Sequence, residues 1–251
     1  MKYSLLILLA AIQFSCSKSG KTDNSNSNAT DSLVNELTQF GKDAVTTGSP
    51  SEMLTIGSVR FQIFPSTKEE FNRIPSYKSD SNEVHCLQNT AGQVLRSNDS
   101  LIFKTLTKGT LVLKNDTVSE GDNYVKYTLT DDLKSINQWL VFAIYYEAYD
   151  YILVDKSNGK QTHLIGLPVV SPTKKYVITV NEDLEAQFTF NGIELLESNG
   201  KSVKLIEQKE ITDWAIREIK WLDNSTLLAH KIMIDKNHDI QESYIKLVIT
   251  K

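Results

Sequence analysis

The chain has 251 residues, of which 40% are hydrophobic and 23% charged, and its formal net charge is −4. That length holds one large or two small domains with a substantial core, and the composition is that of an ordinary globular protein. The mild acidity excludes the electrostatic footprint of a nucleic-acid binder, which needs clustered Lys and Arg; the only two cysteines, Cys16 and Cys86, are too few for a disulfide framework.

The N-terminus opens with one cation, Lys2, followed by an apolar stretch from Leu5 to Ile12. This stretch is shorter than the roughly 20 residues of a membrane span and fits the core of a signal peptide. Gln13-Phe14-Ser15-Cys16 follows. It resembles the lipobox of bacterial lipoproteins, in which a small residue precedes a Cys that is lipidated through its sulfur and becomes the new N-terminus. Ser15 fits the small position; Gln13 and Phe14 depart from the usual pattern, and the alternative is an ordinary signal cleaved near Ala10-Ala11 and a secreted product. The resemblance implies acyl chains on Cys16, and several chains hold a protein where one alone is marginal. Residues 17–30 contain a single apolar side chain, Ala29, and read as a flexible tether. By the same resemblance, Ser17 and Lys18 favour sorting to the outer membrane, facing the periplasm.

Residues 31–45 place Leu33, Leu37, Phe40 and Ala44 on one helical face, with Asp31 or Ser32 as N-cap, and predict a short helix. Beyond it the pattern is mostly β. Ile56 to Phe64 predicts a strand ending at Pro65, and residues 65–83 a long loop with a helical turn at Lys68–Asn72. Leu101–Leu106 and Thr110–Leu113 flank Thr107-Lys108-Gly109 as a hairpin, and Tyr124–Thr130 alternates. Residues 139–154 are the most apolar stretch; being β-branched and aromatic, they predict one long strand or two consecutive strands.

The C-terminal hundred residues repeat a rhythm. Leu167–Val170 leads through Ser171-Pro172-Thr173-Lys174-Lys175 into Tyr176–Val180, and Ile216–Trp221 leads through Leu222–Thr226 into Leu227–Ala229. Ser171, Pro172, and Lys174 or Lys175 in the first unit, and Trp221, Asp223 and Asn224 in the second, carry a resemblance to the strand–SPDGK–strand pattern of WD-repeat and Tol-type β-propellers. About 200 ordered residues hold at most some four or five blades of about 40–45 residues. The fold class expected is therefore mostly β, with antiparallel, blade-like sheets. A partial or atypical β-propeller is the first form of it and a β-sandwich the alternative, with a short N-terminal helix. Residues 1–15 are the signal, 16–30 the lipidated Cys and tether, and 31–251 one body with propeller-like repeats over about 139–251.

Few residues point to chemistry. His85, His163, His230 and His238 are not paired at metal-ligand spacing, and no CxxC, GxSxG, SxxK or phosphate loop occurs. Asp235, Asn237 and Asp239 resemble the start of a calcium loop. Ile240 stands where that loop needs Gly, and Lys246 where it needs a bidentate Glu, so a polar hairpin is the simpler reading. Cys86 reads as buried and inert, and His85 beside it on a strand would point to the opposite face. If residues 139–152 are extended, Trp139, Tyr145, Glu147, Tyr149 and Tyr151 share one face; they form a stacking platform for a sugar or peptide, or else a sheet core. Ser32, Ser100 and Thr117 each follow Asp and precede an apolar residue, a tripeptide that resembles O-glycosylation sites of exported bacterial proteins.

These features predict a lipid-anchored envelope protein with no cofactor, whose partners are the membrane and an envelope protein or glycan, with no nucleic acid. Its body is expected to be a non-enzymatic binding or scaffold module. The alternative is a divergent glycan-acting hydrolase or lyase, distinguished by a pocket holding two converging carboxylates with a perturbed pKa.

Overall fold

A computed structural model of the chain describes residues 50–119 and 121–250. The signal, Cys16, the tether, Ser32 and the helix expected over 31–45 lie outside the described residues. The first elements are β1 (Glu52–Ile56) and β2 (Val59–Ser66), paired antiparallel across Gly57-Ser58. Gly57 has φ 58, the left-handed conformation such a two-residue hairpin loop requires. The single strand expected from Ile56 to Phe64 is thus divided: Ile56 ends one strand and Val59 begins the next.

Two short helices follow. Helix α1 (Lys68–Arg73) is capped by Thr67, whose hydroxyl accepts from Glu70 N at 3.1 Å, and it stops at Ile74 because the residue before Pro75 is held extended. Helix α2 (Glu83–Asn89) is capped by Asn82, which accepts from Val84 N and His85 N. His85 and Cys86 therefore sit on a helix rather than a strand, yet they still diverge. His85 is exposed against Asp80, whereas Cys86 is buried and its thiol is pushed up to about 11 by burial.

Among the described residues the strands form four antiparallel sheets. The first holds β3 (Val94–Ser97), β4 (Ser100–Lys104) and β5 (Thr110–Lys114). The second holds β6 (Val125–Leu133), β7 (Gln138–Tyr145), β8 (Tyr149–Asp155) and β9 (Gln161–Leu164) in chain order. The third holds β10 (Val169–Val170), β11 (Tyr176–Asn181), β12 (Gly192–Ser198) and β13 (Val203–Glu210). The fourth runs β14 (Ala215–Trp221), β15 (Thr226–Ile234), β16 (Ile240–Thr250), then β2 and β1, so strands from both ends of the described chain share one sheet. The fold is mostly β with blade-like antiparallel sheets. A further antiparallel sheet begins at Val94, ahead of the propeller-like repeats expected over about 139–251.

Three apolar clusters join the sheets face to face. Leu101 and Phe103 of the first meet Trp139, Val141, Ile152 and Val154 of the second. Leu140 and Leu153 of the second meet Val177 and Leu196 of the third. Ile178, Ile193 and Leu195 of the third meet Phe61, Ile216, Leu227 and Leu247 of the fourth. The second and third sheets are thus buried on both faces, so odd and even positions of β7, β8, β11 and β12 are both apolar. No apolar cluster among the described residues joins the first sheet to the fourth; the chain between them carries α1, which packs on β15 and β16, and α2, which packs on β6 and β3.

The two SPDGK-like segments occupy equivalent places, each joining the first two strands of a sheet. In one, Ser171 Oγ accepts from Tyr176 N at 3.0 Å; in the other, Asp223 Oδ1 accepts from Ser225 N at 2.7 Å and Thr226 N at 2.8 Å. Turns of neighbouring sheets are tied together at one end of the stack. Thr107 N donates to Ser157 O at 2.8 Å, and Asn137 Nδ2 to Lys201 O at 3.0 Å. At the opposite end of the second and third sheets the connection from β11 to β12 is a long loop, and there a cleft opens.

Candidate functional site

The cleft, about 310 Å³, lies between the second and third sheets and is lined from β8, β9, β11, β12 and β13 and the loop that joins β11 to β12. Its floor is a ladder across the third sheet, where Thr179, Glu194 and Gln208 are register partners and share one face. Thr179 Oγ1 donates to Glu194 Oε2 at 3.1 Å, and Ile165 N, from the connection between the sheets, donates to the same oxygen at 3.3 Å. Glu194 Oε1 has no hydrogen-bond partner among the described residues. The residue is only 3% exposed; its burial raises the carboxyl above its ordinary value, and the charge of Asp150 adds to this.

Asp150 stands on the opposite wall, at β8, and receives His163 Nδ1 from β9. Tyr149 beside it donates its hydroxyl to Asn181 Oδ1 at 3.3 Å, linking the second sheet to the third. Asn181 Nδ2 in turn donates to Thr189 Oγ1 at 2.9 Å and to Phe190 O at 2.8 Å, which sets the rim. The rim loop is ordered by Asp183, which accepts from Gln187 N, Thr189 N and Thr189 Oγ1; these donors hold its carboxyl below the usual range. Asn191 anchors the loop's far end through Ile211 O and Trp214 O. Phe188 projects at its tip, 91% exposed.

Of the five residues expected to share a face, only Tyr149 lines this cleft. A turn over Tyr146–Ala148, with Glu147 at φ 61, separates β7 from β8 and pairs Ile144 with Tyr149 and Phe142 with Tyr151. Pairing even positions of β7 with odd positions of β8 inverts the parity across the hairpin. Trp139 is fully buried against Phe103, and Tyr145 packs on the same side, its hydroxyl pushed up to about 12 by burial. Tyr149 and Tyr151 lie on the other face around Phe142, at ring separations of 5.7 and 5.0 Å. The one-face platform is therefore not formed, because the extended run it assumed is interrupted.

Asp235, Asn237 and Asp239 form the turn between β15 and β16. Asp235 Oδ1 accepts from Asn237 N at 2.8 Å and Asp239 N at 3.0 Å, and Gln241 Nε2 donates to its other oxygen. Both oxygens of Asp235 are thereby engaged within the chain. Among the described residues no group of three or more His, Cys, Asp and Glu is arranged to hold a metal ion, and no helix is long and apolar enough to cross a membrane. Ser100 begins β4 half-buried, while Thr117 is exposed in a turn organised by Asp116.

Asp150, His163, Asn181, Phe190, Glu194 and Gln208 carry no sequence motif. The available signal was an acid within an apolar run: Asp150 in Tyr149–Val154 and Glu194 in Gly192–Leu196. An acid in a strand buried on both faces has to meet donors or a cavity, and Glu194 meets both. No protein-family model, curated protein or solved structure matches this chain.

Proposed function

We propose that the protein is a lipid-anchored component of a bacterial envelope, held through Cys16, and that its β body is a non-enzymatic binding module whose cleft receives a glycan. The anchor rests on the leader, the lipobox-like Gln13–Cys16 and the polar stretch that follows. The binding role rests on one observation: aromatic rings (Tyr149, Phe190), amides (Asn181, Gln208) and carboxyls (Asp150, Glu194) converge on a concave site between two packed sheets. A ring to stack on and planar amides and carboxylates to bridge hydroxyls are the groups that fix a sugar in place. Tyr149→Ala and Phe190→Ala are expected to weaken binding to envelope or plant glycans at least about fivefold in calorimetry, as loss of a buried aromatic contact does. Unchanged affinity in both variants rejects the cleft as the binding site.

A catalytic reading has one observation in its favour: Glu194 carries a raised pKa and Asp150 is near enough to contribute to it. A glycosidase needs one carboxyl protonated and a second free to act as base or nucleophile. Here Asp150 is engaged by His163 and Glu194 Oε2 by two donors, which suits holding a ligand better than turning it over. Release of reducing sugar from a bound glycan, lost in both Glu194→Gln and Asp150→Asn, would establish the enzyme instead.

A further inference from the structure

We infer that the cleft between the second and third sheets selects an amino sugar, seating its free ammonium group between Glu194 and Asp150. The inference rests on the glycan reading of the same cleft and adds the chemistry of the ligand.

The cleft has an asymmetric set of polar groups. Two carboxyls line it, and among its described lining residues there is no Lys or Arg. The one titratable group able to offset them is His163, which is turned onto Asp150. Elsewhere in the body Glu83 is matched by Arg96, Asp132 by Lys156 and Glu70 by Lys246, while the buried Asp155 has no cation and takes its donors from Ser157 N, Asn158 N and Gln138 Nε2. Glu194 is more buried than any of the three cation-matched acids as a whole residue, yet its partners are a hydroxyl and a backbone N–H, both on Oε2. Its second oxygen takes no donor from the described chain and is not among the buried unpartnered polar atoms, so it is left accessible to a ligand in the cleft that Glu194 lines.

A ligand that brings a cation with three N–H donors completes this site. One donor reaches Glu194 Oε1, one the Asp150 side and one Gln208, the register partner of Glu194. Tyr149 and Phe190 add aromatic surface, which also favours a cation. A neutral sugar of the same shape supplies hydroxyls but brings no positive charge to the two acids that line the cleft. An N-acetylated sugar replaces the ammonium by an amide with one N–H. The volume, about 310 Å³, lies at the lower end of the range for small-molecule sites, and the amide-bearing walls suit a ring with several hydroxyls.

The test compares three oligomers of matched length and linkage by calorimetry on the full chain: a β-1,4-glucosamine hexamer, its fully N-acetylated form and cellohexaose. The glucosamine hexamer is expected to bind about tenfold or more tightly than the other two, the effect of one charge-assisted hydrogen bond. Glu194→Gln keeps the shape and an acceptor for Thr179 and Ile165, and Asp150→Asn does the same on the other wall. Each is expected to reduce the preference to less than about threefold, with the thermal transition retained as the check on folding. If the three oligomers bind alike, the cleft remains a glycan site and the ammonium assignment is overturned. If the glucosamine preference persists in both variants, the attraction is a general effect of an acidic protein and the assignment is equally overturned. If none of the three binds, the glycan reading of the cleft falls with it.

Discussion

At the scale of single residues, the most informative group is Glu194. It occupies a central strand of a sheet buried on both faces, where a carboxylate is costly unless it is paired or protonated. Burial raises its pKa above the ordinary 4.5, so the folded chain holds this proton more tightly than the unfolded chain does. The stability this contributes is fully present below the unfolded value and is lost as pH rises through the higher folded value. Glu194→Gln is therefore expected to be more stable than the parent at neutral pH, with the difference vanishing below about pH 4.5, when urea midpoints of the two are compared across pH. A gap that is constant with pH would mean the carboxyl is not the titrating group. Asp150 and His163 face the same cleft and are present in both proteins, and Asp150, whose charge acts on Glu194, enters the comparison through that coupling. The residue was legible only as an acid in an apolar run; its donors come from β11 and from the connection at Ile165, which are remote in sequence.

At the scale of elements, connections decide what the cleft can be. Gly166, in the link from β9 to β10, lies so close to β11 that a side-chain carbon there would overlap the carbonyl of Val180. Gly166→Ala has to push the link off the sheet, and Ile165 N, a donor to Glu194, moves with it. The expected result is destabilisation of about 1–3 kcal/mol, as for other overpacked sites, together with loss of ligand affinity. Retained affinity in a destabilised protein would show that the link does not shape the site. The turn over Tyr146–Ala148 shows the converse limit of sequence patterning. The aromatic and β-branched content of 139–154 correctly indicates strand, but the chain reversal leaves no Gly, Pro or Asn as a marker, and Glu147 itself takes the positive φ. Where markers exist, as at Gly57, Asn137 or the Ser171–Lys175 segment, turns are found, although Gly57 sits inside what reads as one continuous strand.

At the scale of the whole molecule, four sheets are held by three apolar interfaces, and the fourth sheet is completed by strands from the start of the described chain. Phe61 and Ile63 of β2 lie in the cluster between the third and fourth sheets, and β2 pairs with Tyr244–Thr250 of β16. Removal of residues 1–66 is expected to abolish the cooperative urea transition, since it deletes those side chains and leaves β16 as a long bare edge. A truncated chain that still unfolded in one sharp step would show that β1 and β2 are dispensable. The proposed anchor belongs to this scale too: Cys16→Ser is expected to move the protein from the detergent-extracted membrane fraction to the soluble fraction, because the acyl chains have no other attachment. Persistence in the membrane fraction would remove the basis for the anchor. By itself, the sequence determined the strand-rich body, the helical turn near Lys68, the hairpin around Thr107–Gly109 and the equivalence of the two SPDGK-like segments, all of which depend on periodicity and turn chemistry within a few residues. Only the tertiary structure decided which side chains share a face, that β1 and β2 close the last sheet, and that Asp150, His163, Asn181, Glu194 and Gln208 meet. A side chain's face depends on register across hairpins, a cleft depends on which sheets stack, and neither quantity is encoded in the spacing of residues along one strand.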